Sequence, residues 1–147
     1  MELRKTREEE VNILTKISKA AFHTDINVSG KENDGPLGYD SIKWHNKMQL
    51  EGHLYTYIND NNEIVGGAVL FEEERKLYVG RIFINPIFFR KGLGKKLMKD
   101  IEKKFQGISK INLDTPVWNV RTNSFYIKCG YVEIRKDNES VYYEKRL

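Results

Sequence analysis

The chain lacks most of the features that mark secreted, membrane-spanning or fibrous proteins. It has a single cysteine, Cys129, so no disulfide can form within it, which favours a reducing compartment. No apolar run approaches the ~20 residues that a bilayer requires. The charged start, residues 1–5, has no apolar stretch after it, which argues against a secretory signal. We therefore expect a cytoplasmic protein that does not bind membranes.

The charge is also small, with a formal net charge of +4 spread over 147 residues. With 39% hydrophobic and 12% aromatic residues, the chain can build a core, and its length predicts one domain over residues 1–147. Basic residues nevertheless concentrate in residues 90–104, where seven positive side chains accompany two negative ones. Such a concentration attracts a polyanion, either a phosphorylated cofactor or a nucleic acid. Lys99, Lys103 and Lys104 lie beyond the first helical turn, and we interpret them as a solvated face.

The first third of the chain predicts a strand at residues 3–5 and then a helix ending near residues 23–24. Thr6 and Glu9 have the spacing of a capping box. The steps of three and four residues predict an apolar face formed by Ile13, Leu14, Ile17, Ala20 and Ala21. Residues 25–39 are typical of a loop, and Asp40 or Ser41 caps a short helix after it. This loop and helix are a candidate substrate lid.

The rest of the chain predicts a β-meander, a βαβ crossover and a final hairpin. Strands are expected at residues 54–58, 64–71 and 77–84, a helix beginning at Gly92, and a strand at 110–113. A second helix at 119–129 precedes strands at 131–134 and 141–145. The predicted fold class is α/β, a single domain with a mixed, mostly antiparallel sheet flanked by helices.

The segment at residues 82–98 is the most informative, because a strand, a proline turn, a basic glycine loop and a helix follow one another. A helix start leaves about four N–H groups without partners and carries a partial positive charge. Glycine lets a phosphate approach them closely. The segment predicts a diphosphate site formed by consecutive loop residues: Arg90, Lys91, Gly92, Leu93, Gly94 and Lys95.

Two common nucleotide motifs do not fit this loop. A P-loop requires a glycine five residues before the glycine that precedes its lysine, and no glycine lies five residues before Gly94. A dinucleotide fingerprint requires a third glycine where Leu97 stands. The diphosphate therefore belongs to another kind of ligand.

A second segment, residues 114–131, narrows the choice. Asn119 is followed seven residues later by Tyr126 and then by Lys128-Cys129-Gly130-Tyr131. Together the two segments resemble the GCN5-related N-acetyltransferase (GNAT) family, and the resemblance covers most of the chain. The family motif, Gln/Arg-x-x-Gly-x-Gly/Ala, aligns with Gly92 and Gly94. Phe89 then stands at the Gln/Arg position, so the loop must rely on its backbone N–H groups.

The resemblance implies that acetyl-CoA is the cosubstrate and that its pantetheine arm lies along the strand that ends at Phe83 and Ile84. A backbone N–H of one of these two residues is the candidate oxyanion donor. Tyr126 is the candidate general acid for the leaving thiolate, because a phenol with a pKa of ~10 is protonated at neutral pH. Asn119 is either a cofactor contact or a helix N-cap, and the two roles are compatible.

The sequence does not identify the general base, and we predict no metal site. The predicted strand at 77–84 contains no acid, and Glu72, Glu73 and Glu74 belong to a charged turn. His53, His23 and His45 are weak candidates. Cys129 could form an acyl-cysteine, but a buried structural thiol is the commoner explanation.

Three functions are compared. The first is transfer of acetyl from acetyl-CoA to a primary amine of a small molecule or protein, by direct attack in a ternary complex. The second is a non-catalytic CoA-binding or CoA-sensing protein of the same fold. The third, nucleic-acid binding by the basic helix, is disfavoured because no aromatic residues interleave with its lysines. A homodimer is left open. Tyr39, Trp44 and Tyr55 are candidates for an acceptor pocket or for the core.

Overall fold

A computed structural model of the chain describes residues 1–29 and 35–147. One sheet of seven strands forms its centre, in the order β1-β2-β3-β4-β5-β7-β6. Only β4 and β5 are parallel neighbours. The strands are β1 (Glu2–Lys5), β2 (Leu54–Ile58), β3 (Ile64–Glu73), β4 (Lys76–Ile84), β5 (Lys110–Pro116), β6 (Val132–Lys136) and β7 (Ser140–Arg146).

Helices cover both faces of this sheet. They are α1 (Val11–His23), α2 (Ile26–Ser29), α3 (Ile42–Leu50), α4 (Leu93–Lys104) and α5 (Val120–Lys128), with short 3-10 turns at Glu8–Glu10 and Pro86–Phe88. On one face α1 and α3 pack in a core with Val69 and Phe83. On the other face α4 and α5 pack in a core with Leu77, Val79 and Ile84. Among the described residues, no helix is long and apolar enough to cross a membrane.

The predicted α/β class, with a mixed and mostly antiparallel sheet flanked by helices, is confirmed. The loop predicted for residues 25–39 is wrong where α2 forms, and residues 30–34 of it lie outside the described residues. Ser41 caps α3 by accepting a hydrogen bond from the N–H of Trp44 at 3.0 Å. Prediction of one domain over residues 1–147 stays a prediction.

The predicted face and cap of α1 are partly wrong. Ile13 is 46% exposed, whereas Thr15 and Ser18 are buried. Both hydroxyls are satisfied by carbonyls, Thr15 bonding to Val11 and Ser18 to Tyr39, so burying them leaves no polar group without a partner. Ala20 is also exposed.

The capping residue is Glu10 rather than Glu9. Its carboxylate accepts the N–H of Arg7 at 2.9 Å and also bonds to Arg4. Thr6 pairs instead with the hydroxyl of Thr56 at 2.8 Å. The predicted capping box is therefore displaced by one residue, because the N–H of Thr6 bonds to the carbonyl of Leu54 on β2 at 3.0 Å and its hydroxyl bonds to Thr56.

The feature that positions the site is a gap between β4 and β5. These two strands pair only from Lys76 to Tyr78 on β4 and from Lys110 to Asn112 on β5. Beyond that point β4 continues to Ile84 along β3, and β5 continues along β7. The C-terminal half of β4 therefore has a free edge inside the sheet.

Candidate functional site

The glycine loop has the N–H groups that the sequence predicts. The N–H of Phe89 bonds back to Pro86, and the first helical bond of α4 runs from Lys96 to the carbonyl of Gly92 at 3.1 Å. Between them, the backbone N–H groups from Arg90 to Lys95 have no acceptor in the described part of the chain. Gly92 is the N-cap of α4, so these groups gather at the positive end of the helix dipole.

The two glycines serve different purposes. Gly92 has a φ of 71°, in the left-handed region that side chains other than glycine's rarely adopt, and a Cβ there would contact nothing within 4 Å. A Cβ on Gly94 would lie 3.3 Å from two atoms of the Phe125 ring. Gly92 therefore turns the backbone, and Gly94 lets α5 pack closely against the start of α4.

A cleft of about 700 Å³ opens beside this loop. We call it the glycine-loop cleft; its walls include Ile82 to Ile84 of β4, the loop, and the first turns of α5. Arg90, Lys95, Phe83 and Ile84 line it, as does Phe89, which is 37% exposed. Lys91 does not line it, and its ammonium group lies over the Phe88 ring at 5.6 Å.

The free edge of β4 supplies further N–H groups that have no partner among residues 1–29 and 35–147. The N–H of Asn85 bonds to the carbonyl of Val65 on β3 at 2.8 Å. Along a strand of an antiparallel pair, successive backbone N–H groups point alternately toward and away from the partner strand. The N–H of Phe83 therefore also points toward β3, whereas the N–H groups of Ile82 and Ile84 point away from it. No β5 residue pairs with them. Of the two sequence candidates for an oxyanion donor, the alternation selects Ile84.

A second cleft, of about 440 Å³, fills the gap between the strands. We call it the strand-gap cleft. It shares part of its wall with the glycine-loop cleft, including Ile82, Thr122 and Phe125, so the two are adjacent. Tyr126 and Asn119, both predicted as site residues, line the strand-gap cleft.

Tyr126 is only 8% exposed and packs among three aromatic rings, those of Phe125, Tyr131 and Tyr143. Its hydroxyl has no hydrogen-bond partner in residues 1–29 and 35–147. Burial, and to a lesser degree the nearby Cys129 and Asp114, raise the pKa of Tyr126. The phenol is therefore protonated at neutral pH and free to donate.

Asn119 is 2% exposed and is the N-cap of α5. Its side-chain oxygen accepts the N–H of Thr122 at 3.1 Å, and its carbonyl accepts from the Asn123 amide at 2.8 Å. The capping role is therefore observed, and it fixes the start of the helix that carries Tyr126. A contact with cofactor stays a prediction.

Asp114, an acid in the wall of the strand-gap cleft, is not among the residues that the sequence predicts. Asp114 lies on β5 just beyond the pairing with β4, and its carboxylate accepts a hydrogen bond from the hydroxyl of Tyr78. Burial and this bond raise the pKa of Tyr78. The other lining acids are Asp25, which is ion-paired with Arg121, and Glu139, which lies in an exposed turn. The sequence signal that could have identified Asp114 is its position: it is an acid that directly follows the strand predicted at residues 110–113.

The weaker sequence candidates lie outside both clefts. His53 bonds to the carbonyl of Leu70 and stacks on Phe71, with ring centroids 4.4 Å apart. His23 bonds to the Tyr39 hydroxyl at 3.0 Å, and burial lowers the pKa of His45, which keeps it neutral.

The candidates for an acceptor pocket and for an acyl-cysteine are buried or partly buried residues. Tyr39 and Tyr55 belong to the core, each 6% exposed. Burial also raises the pKa of Cys129, so its thiol is a poor nucleophile at neutral pH.

Comparisons with known proteins agree on one family. The model of the acetyltransferase (GNAT) family matches residues 17–131. No curated protein matches the sequence.

Several solved structures share the fold. A PaiA N-acetyltransferase from Thermoplasma acidophilum, in complex with coenzyme A, is 20% identical with a TM-score of 0.83, over 99% of this chain and 98% of that one. The ribosomal-protein-S18-alanine N-acetyltransferase from Escherichia coli is 14% identical with a TM-score of 0.75, over 99% and 92%. A chimeric spermidine N-acetyltransferase SpeG from Vibrio cholerae and hSSAT is 16% identical with a TM-score of 0.74, over 99% and 94%.

Proposed function

The chain belongs to the GNAT acetyltransferase family, and on that premise we propose that it transfers acetyl from acetyl-CoA to a primary amine by direct attack in a ternary complex. Acetyl-CoA is the cosubstrate of this family. The acceptor is an amine of a small molecule or of a protein. The structurally similar enzymes are named for acceptors as different as spermidine and a protein alanine, so the shared fold does not select between these classes.

One observation carries the proposal: two sets of backbone N–H groups, unpaired within the described residues, lie at adjacent clefts. Those from Arg90 to Lys95 suit a diphosphate, and Arg90 and Lys95 add full positive charges beside them. Those of Ile82 and Ile84 face the gap between the strands. The residues present therefore fit acetyl-CoA, which supplies a thioester when bound.

The chain's own groups account for the proton transfers. The N–H of Ile84 stabilises the negative charge that develops on the thioester oxygen. Asp114 binds the acceptor ammonium and accepts its proton, because among the described acids that line the cleft it is neither ion-paired, as Asp25 is, nor in an exposed turn, as Glu139 is. The hydroxyl of Tyr126 donates a proton to the departing thiolate, and the second proton that the acceptor nitrogen loses as the tetrahedral intermediate collapses restores the Tyr126 phenol.

The test is an amine panel in which free thiol is detected after mixing with acetyl-CoA. We expect thiol release that depends on the amine. When both substrates are varied, double-reciprocal plots of the initial rates should give intersecting lines. Parallel lines would indicate an acyl-enzyme and would contradict direct attack. Cys129→Ala is the matched control, because the proposal predicts that it keeps full activity.

The alternative is a CoA-binding protein without catalysis, and Phe89 at the usual polar position is the observation that favours it. Calorimetry with acetyl-CoA distinguishes the two, since binding without thiol release for any amine supports the alternative. A cytoplasmic location and a homodimer stay predictions.

A further inference from the structure

Arg81 is a partly buried cation that has no anionic partner in the part of the chain that the structure describes. It lies on β4 and forms part of the wall of the strand-gap cleft. Its guanidinium covers the Trp44 ring at 4.1 Å, and its Nη2 donates to the carbonyl of Leu37 at 2.9 Å. Nε and Nη1 are buried and have no hydrogen-bond partner, and no ion pair of Arg81 occurs within residues 1–29 and 35–147.

Burying these donors without acceptors lowers the stability of the folded protein. A buried donor without an acceptor loses its hydration and gains nothing in return, and a charged donor loses more than a neutral one. Burial accordingly lowers the pKa of Arg81 to about 10. The group remains charged at neutral pH, so an anion entering the cleft would meet a positive charge that no acid of residues 1–29 and 35–147 pairs with.

The acid proposed to bind the ammonium lies on the same side of the sheet. Tyr78 contacts Phe71 on the face covered by α1 and α3, and its hydroxyl bonds to Asp114. Arg81 contacts Trp44 of α3 on that face. The strand-gap cleft therefore presents the Asp114 carboxylate and the Arg81 guanidinium on the same side of the sheet.

From this pairing we infer that the acceptor is an amino acid or another amine that carries its own carboxylate. Asp114 takes its ammonium end and Arg81 takes its acid end. The inference rests on the proposed function, because it names the acceptor class of the same reaction. The diphosphate of acetyl-CoA is not the anion in question, because Arg81 is absent from the wall of the glycine-loop cleft.

The experiment compares pairs of acceptors, each an amino acid and the amine left when its carboxylate is removed. We expect the wild-type protein to prefer the amino acid by about tenfold to hundredfold in kcat/KM, the range that a hydrogen bond to a charged group provides. Arg81→Gln should bring each pair near parity with the KM for acetyl-CoA unchanged. Arg81→Lys, which keeps the charge, should restore part of the preference.

Arg135→Gln is the matched control, because Arg135 also covers an aromatic ring, Tyr142 at 3.9 Å, but lies outside both clefts. It should leave the preference intact. No preference in the wild-type protein, or the same preference in Arg81→Gln, would overturn the inference. If Arg81→Gln does not fold, Arg81→Lys and Arg81→Met take its place.

A binding measurement separates this inference from the proposed function. Calorimetry titrates the CoA-bound protein with the same amino acids and decarboxylated amines. If no amine releases thiol but the amino acids bind and Arg81→Gln abolishes that binding, the proposed function fails and the carboxylate site stands. If thiol is released equally from both members of each pair, the function stands and the carboxylate site fails.

Discussion

Removing the hydroxyl of Tyr126 tests the proposed mechanism directly. Tyr126→Phe keeps the ring, which packs against Phe125 and Tyr131 at centroid distances of 5.1 and 6.1 Å. The only atom lost is a hydroxyl oxygen that makes no hydrogen bond to any described residue. Because no packing and no bond are removed, the free energy of unfolding should change by less than ~0.5 kcal/mol.

The effect on turnover should be much larger. A positioned general acid contributes about 10²- to 10⁴-fold, which is about 3–5 kcal/mol of the barrier. Since burial raises the pKa of Tyr126, its hydroxyl stays protonated across the neutral and mildly alkaline range. The ratio of wild-type to variant turnover should therefore be constant over that range.

The assay is a single-turnover quench of the acetylated product, with thermal unfolding measured on the same samples. Tyr143→Phe is the matched control, because it removes a buried hydroxyl that donates to the side-chain oxygen of Asn123 at 2.6 Å. That variant should lose about 1 kcal/mol of stability and keep its turnover. Equal single-turnover rates for Tyr126→Phe and wild type would refute the assignment of Tyr126 as the acid.

Three further changes test the cofactor site and the N-terminal cap. Gly94→Val forces atoms beyond a Cβ that already lies 3.3 Å from Phe125, and it should weaken acetyl-CoA binding in calorimetry about tenfold, as overpacking typically costs. Lys95→Ala, in the wall of the glycine-loop cleft, should raise the Kd for acetyl-CoA about two- to fivefold at low salt and less at high salt. Glu10→Gln should cost about 1–2 kcal/mol in denaturant unfolding at neutral pH, because the bond from Arg4 lowers the pKa of Glu10 to about 2. A lowered pKa stabilises the folded state above the unfolded value of 4.5 and loses that stabilisation as the pH falls through about 2, so the difference from wild type should shrink in that window.

Each of these changes has its own control. Gly94→Ala adds only the Cβ and should bind acetyl-CoA nearly as well as wild type. Lys99→Ala removes an exposed charge outside both clefts, and an equal effect of Lys95→Ala and Lys99→Ala would show that only net charge matters. For Glu10, a stability difference that is constant from neutral pH to pH ~2 would contradict the assigned pKa.

The parts of the fold that follow local rules could be predicted from the sequence. The meander, the βαβ crossover and the final hairpin have strong β-formers, turns and a four-residue helical spacing, and each lies within a few residues of its predicted place. The free N–H groups of the glycine loop could be predicted because every helix start leaves such groups without intrahelical partners. Binding of an anion by this loop stays a prediction. The capping role of Asn119 follows from residue type in the same way.

The parts that depend on partners distant in the chain could not be predicted. By residue type, Thr15 and Ser18 are expected on the polar face of α1. Ser18 is buried because its hydroxyl donates to the carbonyl of Tyr39, 21 residues away, a contact that local sequence does not reveal. Asp114 was missed because nothing in the local sequence shows that β5 leaves β4 after Asn112. From the sequence, Arg81 is a single charged residue in an apolar strand. Its place in the wall of the cleft could not be predicted, because it depends on the contact with Trp44, which is distant in the chain.

A single extra residue in β4 explains both the gap and the position of Arg81. Val69 of β3 pairs with Arg81, and the next residue, Leu70, pairs with Val79, so Gly80 is a bulge. A bulge increases the local twist, which turns the rest of β4 away from β5. It also reverses the alternation: Val79 faces the core of α4 and α5, whereas Arg81 faces α3.

Without the bulge, strict alternation from Val79 would direct Arg81 into the apolar core, where a guanidinium is most costly. Glycine suits the bulge because a Cβ at residue 80 would lie 2.9 Å from the Phe71 ring and 3.2 Å from the Val69 carbonyl oxygen. The same residue thus frees the N–H groups of Ile82 and Ile84 from β5 and turns the cation toward the acceptor side of the cleft. The acetyl-CoA side and the amine side of the proposed site therefore both depend on the bulge at Gly80. Substitution of Gly80 should weaken the binding of both substrates.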